Sequence, residues 1–146
     1  MISKREVNII KYLRENSRIT LKALSKKTNI PMSTLFETLK NFKSIQRYTC
    51  LLDYKSLGYD LRVQLLIKTK NDSKELEHFL KLHPNINTLA EINNAWNYLV
   101  EAFFKNTEEY REFYNMLQHK TEKIQEIFIL KEIKEQAFLC PGVFEK

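Results

Sequence analysis

Five polar residues in the first third of the chain are spaced so that a helix would gather them on one side. A polar helical face of this kind fits the major groove of DNA and can hydrogen-bond to base edges there. The five residues are Ser33, Thr34, Glu37, Thr38 and Asn41. The same spacing predicts an apolar, core-facing side made of Met32, Leu35, Phe36, Leu39 and Phe42.

Positive charge is concentrated around this predicted helix. The chain has 146 residues and a net charge of +6. Its first fifty residues hold eleven basic and three acidic side chains, a balance of +8, whereas the remaining residues stand at −2. This asymmetry points to a polyanion partner for the first fifty residues alone, and we predict double-stranded DNA. The basic residues predicted to contact it are Arg18, Lys22, Lys26, Lys40 and Lys43.

Catalytic and metal-binding patterns are missing from the sequence. The three histidines, His78, His83 and His119, have no metal-ligand spacing, and Cys50 and Cys140 have no local nucleophile signature. Only two glycines occur, so a glycine-rich phosphate loop cannot be drawn. We therefore predict no catalytic residue, no metal and no cofactor.

The cysteine count and the hydropathy pattern bear on the compartment. Two cysteines 90 positions apart are too few for a disulfide scaffold and favour a reducing compartment. No apolar run approaches the roughly 18 residues that cross a bilayer, and the first residues lack the apolar core of a secretory signal. We expect a cytoplasmic protein with no membrane partner.

Residues 1–47 are predicted to form three short helices in a helix-turn-helix domain. Ser3 and Glu6 form a capping box that starts a helix over 4–15. Thr20 caps a second helix, Asn29 suits the tight turn after it, and Pro31 suits the first turn of a third helix. We therefore expect an N-terminal helix-turn-helix domain of winged-helix-like type.

The rest of the chain is predicted to be β-rich. Residues 48–60 read as a linker strand, 61–137 as a domain of order β-α-β-β-α-β, and 138–146 as a C-terminal tail. The fold class is therefore α+β, with a C-terminal ferredoxin-like domain. Strands are expected over 61–70, 86–92, 96–104 and 124–133, with residues 71–73 capping the first helix between them. Such a sheet leaves one face free of helices, which predicts sheet-to-sheet dimerisation.

These features together resemble the Lrp/AsnC family of leucine-responsive, or feast-or-famine, transcription regulators. The most specific matches are Arg18-Ile19-Thr20 before Leu24-Ser25-Lys26-Lys27, the segment Tyr48-Thr49-Cys50-Leu51-Leu52-Asp53, and Lys131-Glu132-Ile133-Lys134. The resemblance implies DNA-binding homodimers, often assembled into octamers. It also implies small-molecule effectors that bind the C-terminal domain at interfaces between dimers.

Three departures from the family pattern concern the effector, the linker and the operator. The Gly-x-x-Asp turn that the family uses for its effector aligns with Asn94-Ala95-Trp96-Asn97, so common amino acids are expected to bind weakly. The tentative effector residues are Asn93, Asn94, Trp96 and Asn97. The segment Phe42-Lys43-Ser44-Ile45 is about three residues shorter than its family counterpart, and a family arginine in the recognition helix aligns with Thr38.

Other functions stay open at this point. Some tetrapyrrole-pathway decarboxylases share this two-part architecture and would make the chain an enzyme. A DNA-free interaction module, with a three-helix bundle whose basic surface is simply solvated, would also fit the pattern. A sequence-specific DNA-binding regulator is the function we expect.

Overall fold

The computed structural model describes residues 3–70, 74–134 and 137–139. The chain divides into two compact units. The helical unit comprises Met1–Leu51 together with Ile133–Lys146, and the sheet unit comprises Leu52–Glu132. The predicted α+β class is confirmed, since the described residues of the first unit form helices and those of the second form an antiparallel sheet with two helices.

The helical unit contains three helices: α1 (Lys4–Glu15), α2 (Leu21–Thr28) and α3 (Met32–Lys40). The predicted capping box at α1 is confirmed, because the Ser3 backbone N–H donates to the Glu6 carboxylate (2.8 Å) and the Glu6 N–H donates to the Ser3 hydroxyl (3.2 Å). Ile9 is fully buried, although the periodicity places it at the flank of the apolar face. It packs with Leu13, Leu24, Leu35 and Phe42 to form the core of this unit.

The sheet unit has the order β-α-β-β-α-β, as predicted. Its strands are all antiparallel and lie in the order β2-β3-β1-β4, with β1 and β3 in the centre. This is the ferredoxin-like arrangement. The elements are β1 (Leu61–Thr69), α4 (Lys74–Leu82), β2 (Ile86–Glu91), β3 (Tyr98–Phe104), α5 (Thr107–Gln118) and β4 (Thr121–Phe128).

Strict alternation along β1 assigns its residues to the two faces of the sheet. Val63, Leu65 and Ile67 are fully buried and pack against both helices in one apolar core. Leu66 points the other way, to the face without helices. Burial of apolar side chains on one face only is what fixes the strand register, since a slip of one residue would invert every side chain.

The helix-free face of the sheet carries both polar and aromatic side chains. Arg62 donates through Nε to the Glu101 carboxylate (2.8 Å) and also pairs with Glu132. The Phe103 ring lies beneath a stacked Tyr54 ring, with centroids 3.6 Å apart. The segment that precedes β1 therefore covers part of the sheet face that was predicted to be free.

No strand forms over residues 48–60, which corrects the prediction for the linker. Within the described chain the sheet takes no strand from this segment, and residues 54–58 form a turn instead. A strand needs a hydrogen-bonded neighbour, and the single chain provides none for this segment. Residues 41–60 therefore add no β-element to the helix-turn-helix, and pairing of the linker with a second copy stays a prediction.

The last strand begins and ends earlier than predicted. β4 runs over Thr121–Phe128, not over 124–133. Its ends follow from its partner, because Thr121 pairs with Thr69 at one end of β1 and Phe128 pairs with Val63 near the other. The predicted helix cap over 71–73 lies outside the described residues, as does most of the predicted tail. Within the helical unit, the Arg14 Nε donates to the Phe138 carbonyl (3.3 Å).

Candidate nucleic-acid interface and hairpin site

The turn between α2 and α3 is held by local hydrogen bonds. The Thr20 hydroxyl accepts from the Ala23 N–H (3.2 Å) and starts α2, as predicted. Asn29 ends α2 in the left-handed conformation, with φ 57° and ψ 31°. The Ser25 hydroxyl donates to the Ile30 carbonyl across the turn (2.6 Å). These contacts set the angle at which α3 leaves the turn.

The exposed face of α3 includes apolar residues, whereas the sequence pattern predicts a polar face. Met32 and Phe36 are 51% and 55% exposed, whereas Leu35 is fully buried. The expectation that Met32 and Phe36 face the core is therefore wrong. The contact with α1 and α2 is a narrow stripe, and at 100° per residue Met32 and Phe36 fall beyond its edge. The exposed residues of α3 are Met32, Ser33, Phe36, Glu37 and Lys40.

Two predicted base-contacting residues lie at the margin of this face. Thr34 and Thr38 are half-buried. The Thr38 hydroxyl donates to the Thr34 carbonyl of its own helix (2.7 Å), so only its lone pairs remain for a ligand. The Asn41 amide similarly donates to the Glu37 carbonyl (3.1 Å) and closes the end of α3.

Five exposed cations lie on α3, on α2 and in the segments next to these two helices. Within the described part of the chain, none of them forms an ion pair with an acidic side chain. Lys27 differs from them, since its ammonium lies 3.8 Å from the Glu15 carboxylate and 5.1 Å from the centre of the Tyr12 ring. Unpaired cations around a protruding helix are suited to phosphate groups. The five are Arg18, Lys22, Lys26, Lys40 and Lys43.

The hairpin between β2 and β3 forms at the predicted place. Asn94 adopts a left-handed conformation with φ 75°, which asparagine tolerates better than most residues. Asn93 and Asn94 are both exposed, and Trp96 is half-buried with the Lys123 ammonium 5.4 Å from the centre of its ring.

The side chain of Asn97 is already engaged within the sheet unit. Its amide oxygen accepts from the Thr69 backbone N–H (2.9 Å) and the Thr69 hydroxyl (3.3 Å), while the backbone N–H of Asn97 donates to the Ile67 carbonyl (2.8 Å). Asn97 thus joins the hairpin to the end of β1. The NH₂ group of the Asn97 side chain remains available to a ligand.

One of the three histidines is packed among aromatic side chains of the sheet unit. His83 packs edge-on against Phe113 with ring centroids 4.7 Å apart, and burial lowers the pKa of its imidazole. Among the described residues, no group of three or more His, Cys, Asp or Glu side chains could hold a metal ion. The described helices also include none that is both long and apolar enough to cross a membrane.

Sequence reasoning missed Met32 and Phe36 as exposed residues of the candidate interface. The signal that could have found them is the width of the apolar stripe on α3. Four of the nine residues of α3 are apolar, and a stripe of this width extends past the contact that two short neighbouring helices make.

The comparisons with known proteins agree with this architecture. Residues 61–138 match the family model of the Lrp/AsnC ligand binding domain. An HTH-type transcriptional regulator of Pyrococcus abyssi is 26% identical over 147 aligned positions, which cover 97% of this chain and 100% of that protein. The HTH-type transcriptional regulator LrpC of Bacillus subtilis is 25% identical over 114 positions, covering 75% of this chain and 79% of that protein.

Solved structures show the same fold. The structure of Bacillus subtilis LrpC superposes with a TM-score of 0.85 at 23% identity, covering 92% of this chain and 99% of that one. A transcriptional regulator of Neisseria meningitidis, solved in complex with L-Met, has a TM-score of 0.82 at 23% identity, covering 92% and 94%. Because the family model spans more than half of the sequence, the chain belongs to the Lrp/AsnC family of transcription regulators.

Proposed function

We propose that the protein is a sequence-specific transcription regulator that binds double-stranded DNA as a homodimer through residues 18–43. One observation carries the proposal: the helix-turn-helix presents exposed cations on α2, on α3 and in the adjoining segments, and none of them forms an ion pair with a described acidic residue. In a helix-turn-helix the second helix of the motif enters the major groove, and a dimer reads two half-sites about one helical turn apart or a multiple of it.

The proposed residue roles follow from exposure. Ser33 and Glu37 lie fully outward on α3 and are the polar side chains best placed for base edges. Thr34, Thr38 and Asn41 remain proposed contacts, although the latter two already donate hydrogen bonds to their own helix. The surrounding cations are assigned to phosphates, which position the protein without reading sequence.

Selection of bound DNA from a random pool, followed by footprinting, tests the proposal. We expect one enriched sequence with two protected half-sites related by two-fold symmetry. Absence of any enriched sequence or protected pair at low salt would contradict DNA-specific binding. In that case the DNA-free interaction module would account for the chain.

Salt dependence separates phosphate contacts from base contacts. Lys40→Gln should weaken binding to selected and random DNA alike and reduce the salt slope by about 0.9 for each of the two half-sites that the dimer contacts. Ser33→Ala should change the selected sequence with little effect on the slope. Lys74→Gln, which removes an exposed lysine from α4, is the matched control and should change neither. Equal effects of Lys40→Gln and Lys74→Gln would contradict the assignment.

We infer that the linker and the helix-free face of the sheet hold the dimer together. Several large apolar side chains of residues 48–60 are exposed in the single chain, and residues 48–53, which belong to no helix, strand or turn, are suited to pairing with a second copy. They are Tyr48, Leu51, Leu52 and Leu57. Assembly of dimers into octamers is part of the same proposal, and mass measurement in solution tests it.

We propose that any effector binds near the β2–β3 hairpin and that common amino acids bind weakly there. Asn97 carries no carboxylate, so an amino group would lack a charge-assisted hydrogen bond worth roughly 1.5–3 kcal/mol, an order of magnitude or more in affinity. Calorimetric titration with amino acids at millimolar concentration is the test. Tight binding that Asn97→Ala abolishes and Asn93→Ala preserves would contradict the proposal.

We further propose that the chain is not an enzyme. His83 is packed among aromatic rings, and the hairpin contains no histidine. A titration with porphyrin, followed by its absorbance, separates this proposal from the tetrapyrrole-pathway alternative. Stoichiometric porphyrin binding and turnover would contradict it.

A further inference from the structure

The apolar part of the α3 face has no role in the polar contacts proposed above. Met32 and Phe36 lie one turn apart on the same side of the helix, and each is more than half exposed. Lys40 lies a further turn along the same row, with Ser33 and Glu37 beside it. An exposed aromatic ring thus sits in the middle of the face that the proposed function directs into the major groove.

The charged side chains on α2 and α3 indicate which kind of partner covers the Phe36 ring. Lys40 lies on α3 itself, Lys22 and Lys26 are exposed on α2, and the described acidic side chains pair with none of the three. A neutral apolar partner would leave these cations without counter-charges, whereas DNA supplies phosphates on both sides of the groove. Charge complementarity therefore selects duplex DNA as the occupant.

The major groove offers one apolar group to such a ring, the C5-methyl of thymine. We propose that Phe36, supported by Met32, contacts thymine methyl groups and makes the protein select thymine at the positions beneath it. This inference rests on the proposed function and deepens it, since it names a specificity-determining residue. Phe36 accepts and donates no hydrogen bond to a base edge, so its selectivity comes from removing the methyl group and the ring from water together.

Replacing thymine by deoxyuridine tests this directly, because only the methyl group is removed. Each thymine of the selected site is substituted in turn, and the affinity of the full-length protein is measured. For the wild type we expect a loss of about fourfold at one or two positions, the equivalent of one methyl group leaving water. Phe36→Ala should bind the thymine and deoxyuridine sites equally, with an unchanged salt slope.

Two further variants make the result specific. Phe36→Leu keeps an apolar side chain of shorter reach and should retain part of the discrimination, which shows that a folded α3 is present. Leu82→Ala removes an apolar side chain from α4 that is more exposed than Phe36 and should leave full discrimination. A sedimentation measurement of Phe36→Ala should give the wild-type mass.

Three outcomes would overturn the inference. They are a wild-type protein that binds its selected site but is indifferent to every thymine methyl, a Phe36→Ala variant that discriminates as well as the wild type, and a changed mass, which would mean that a second copy covers the ring. The first two outcomes leave specific DNA binding standing, whereas the third would also contradict the proposal that this face of α3 enters the major groove. Failure of the wild type to select any DNA is a different result and would refute the proposed function itself.

Discussion

Replacement of Asn29 by alanine should destabilise the helical unit. Asn29 holds the turn between α2 and α3 at φ 57°, where an ordinary L-residue is strained by about 1–2 kcal/mol. Asparagine reduces this strain through local hydrogen bonds, and glycine avoids it. Alanine cannot escape by extending α2, because Pro31 disfavours a helical conformation at Ile30. We expect Asn29→Ala to lower the free energy of unfolding by about 1 kcal/mol.

Urea denaturation of the full chain, followed by far-UV circular dichroism, measures this loss. Asn29→Gly should lie within about 0.5 kcal/mol of the wild type, because the entropy that glycine adds to the unfolded chain offsets its relief of strain. Asn115→Ala is the matched control, since it makes the same substitution at an exposed position inside α5. There alanine should stabilise by about 0.5 kcal/mol through its helix propensity. If Asn29→Ala is as stable as the wild type, the turn is not strained and the reasoning fails.

The other predictions concern a hydrogen bond, an interface and a titration. Ser25→Ala should cost about 1–2 kcal/mol in urea denaturation, because it leaves a part-buried carbonyl without its donor; an unchanged midpoint would contradict this. Leu51→Asp should shift the mass in light scattering from dimer to monomer, whereas Leu82→Asp should not, and equal behaviour of the two would argue against the linker interface. The backbone N–H of Lys105, bonded to the Glu109 carboxylate (2.6 Å), holds the pKa of Glu109 below its usual value. The stabilisation of the folded state by the Glu109 carboxylate is therefore complete above the unfolded-state pKa of about 4.3 and is lost as the pH falls through the lower folded-state pKa. The thermal midpoints of the wild type and Glu109→Gln should thus converge on acidification, and a constant gap would refute this reading.

Local signals in the sequence determined most elements of the fold. The Ser3–Glu6 capping box, the Thr20 cap and the left-handed Asn29 are each set by residues within one or two turns, so their structures follow from the local chain. The alternation along β1 likewise determined which side chains face the helices. The predicted order of elements is confirmed for the three helices of the helical unit and for the β-α-β-β-α-β sheet unit, although not for the linker strand.

Only the tertiary structure decided which features depend on a neighbour. β4 begins and ends where β1 can pair with it. The linker forms no strand because the single chain offers it no hydrogen-bonding partner. The face of α3 is the main example. An apolar stripe indicates that one side of a helix is buried, but the helices packed against it determine how many residues of that side are buried. Since α1 and α2 cover Leu35 and leave Phe36 exposed, the composition of the candidate DNA-binding face could not be read from periodicity alone.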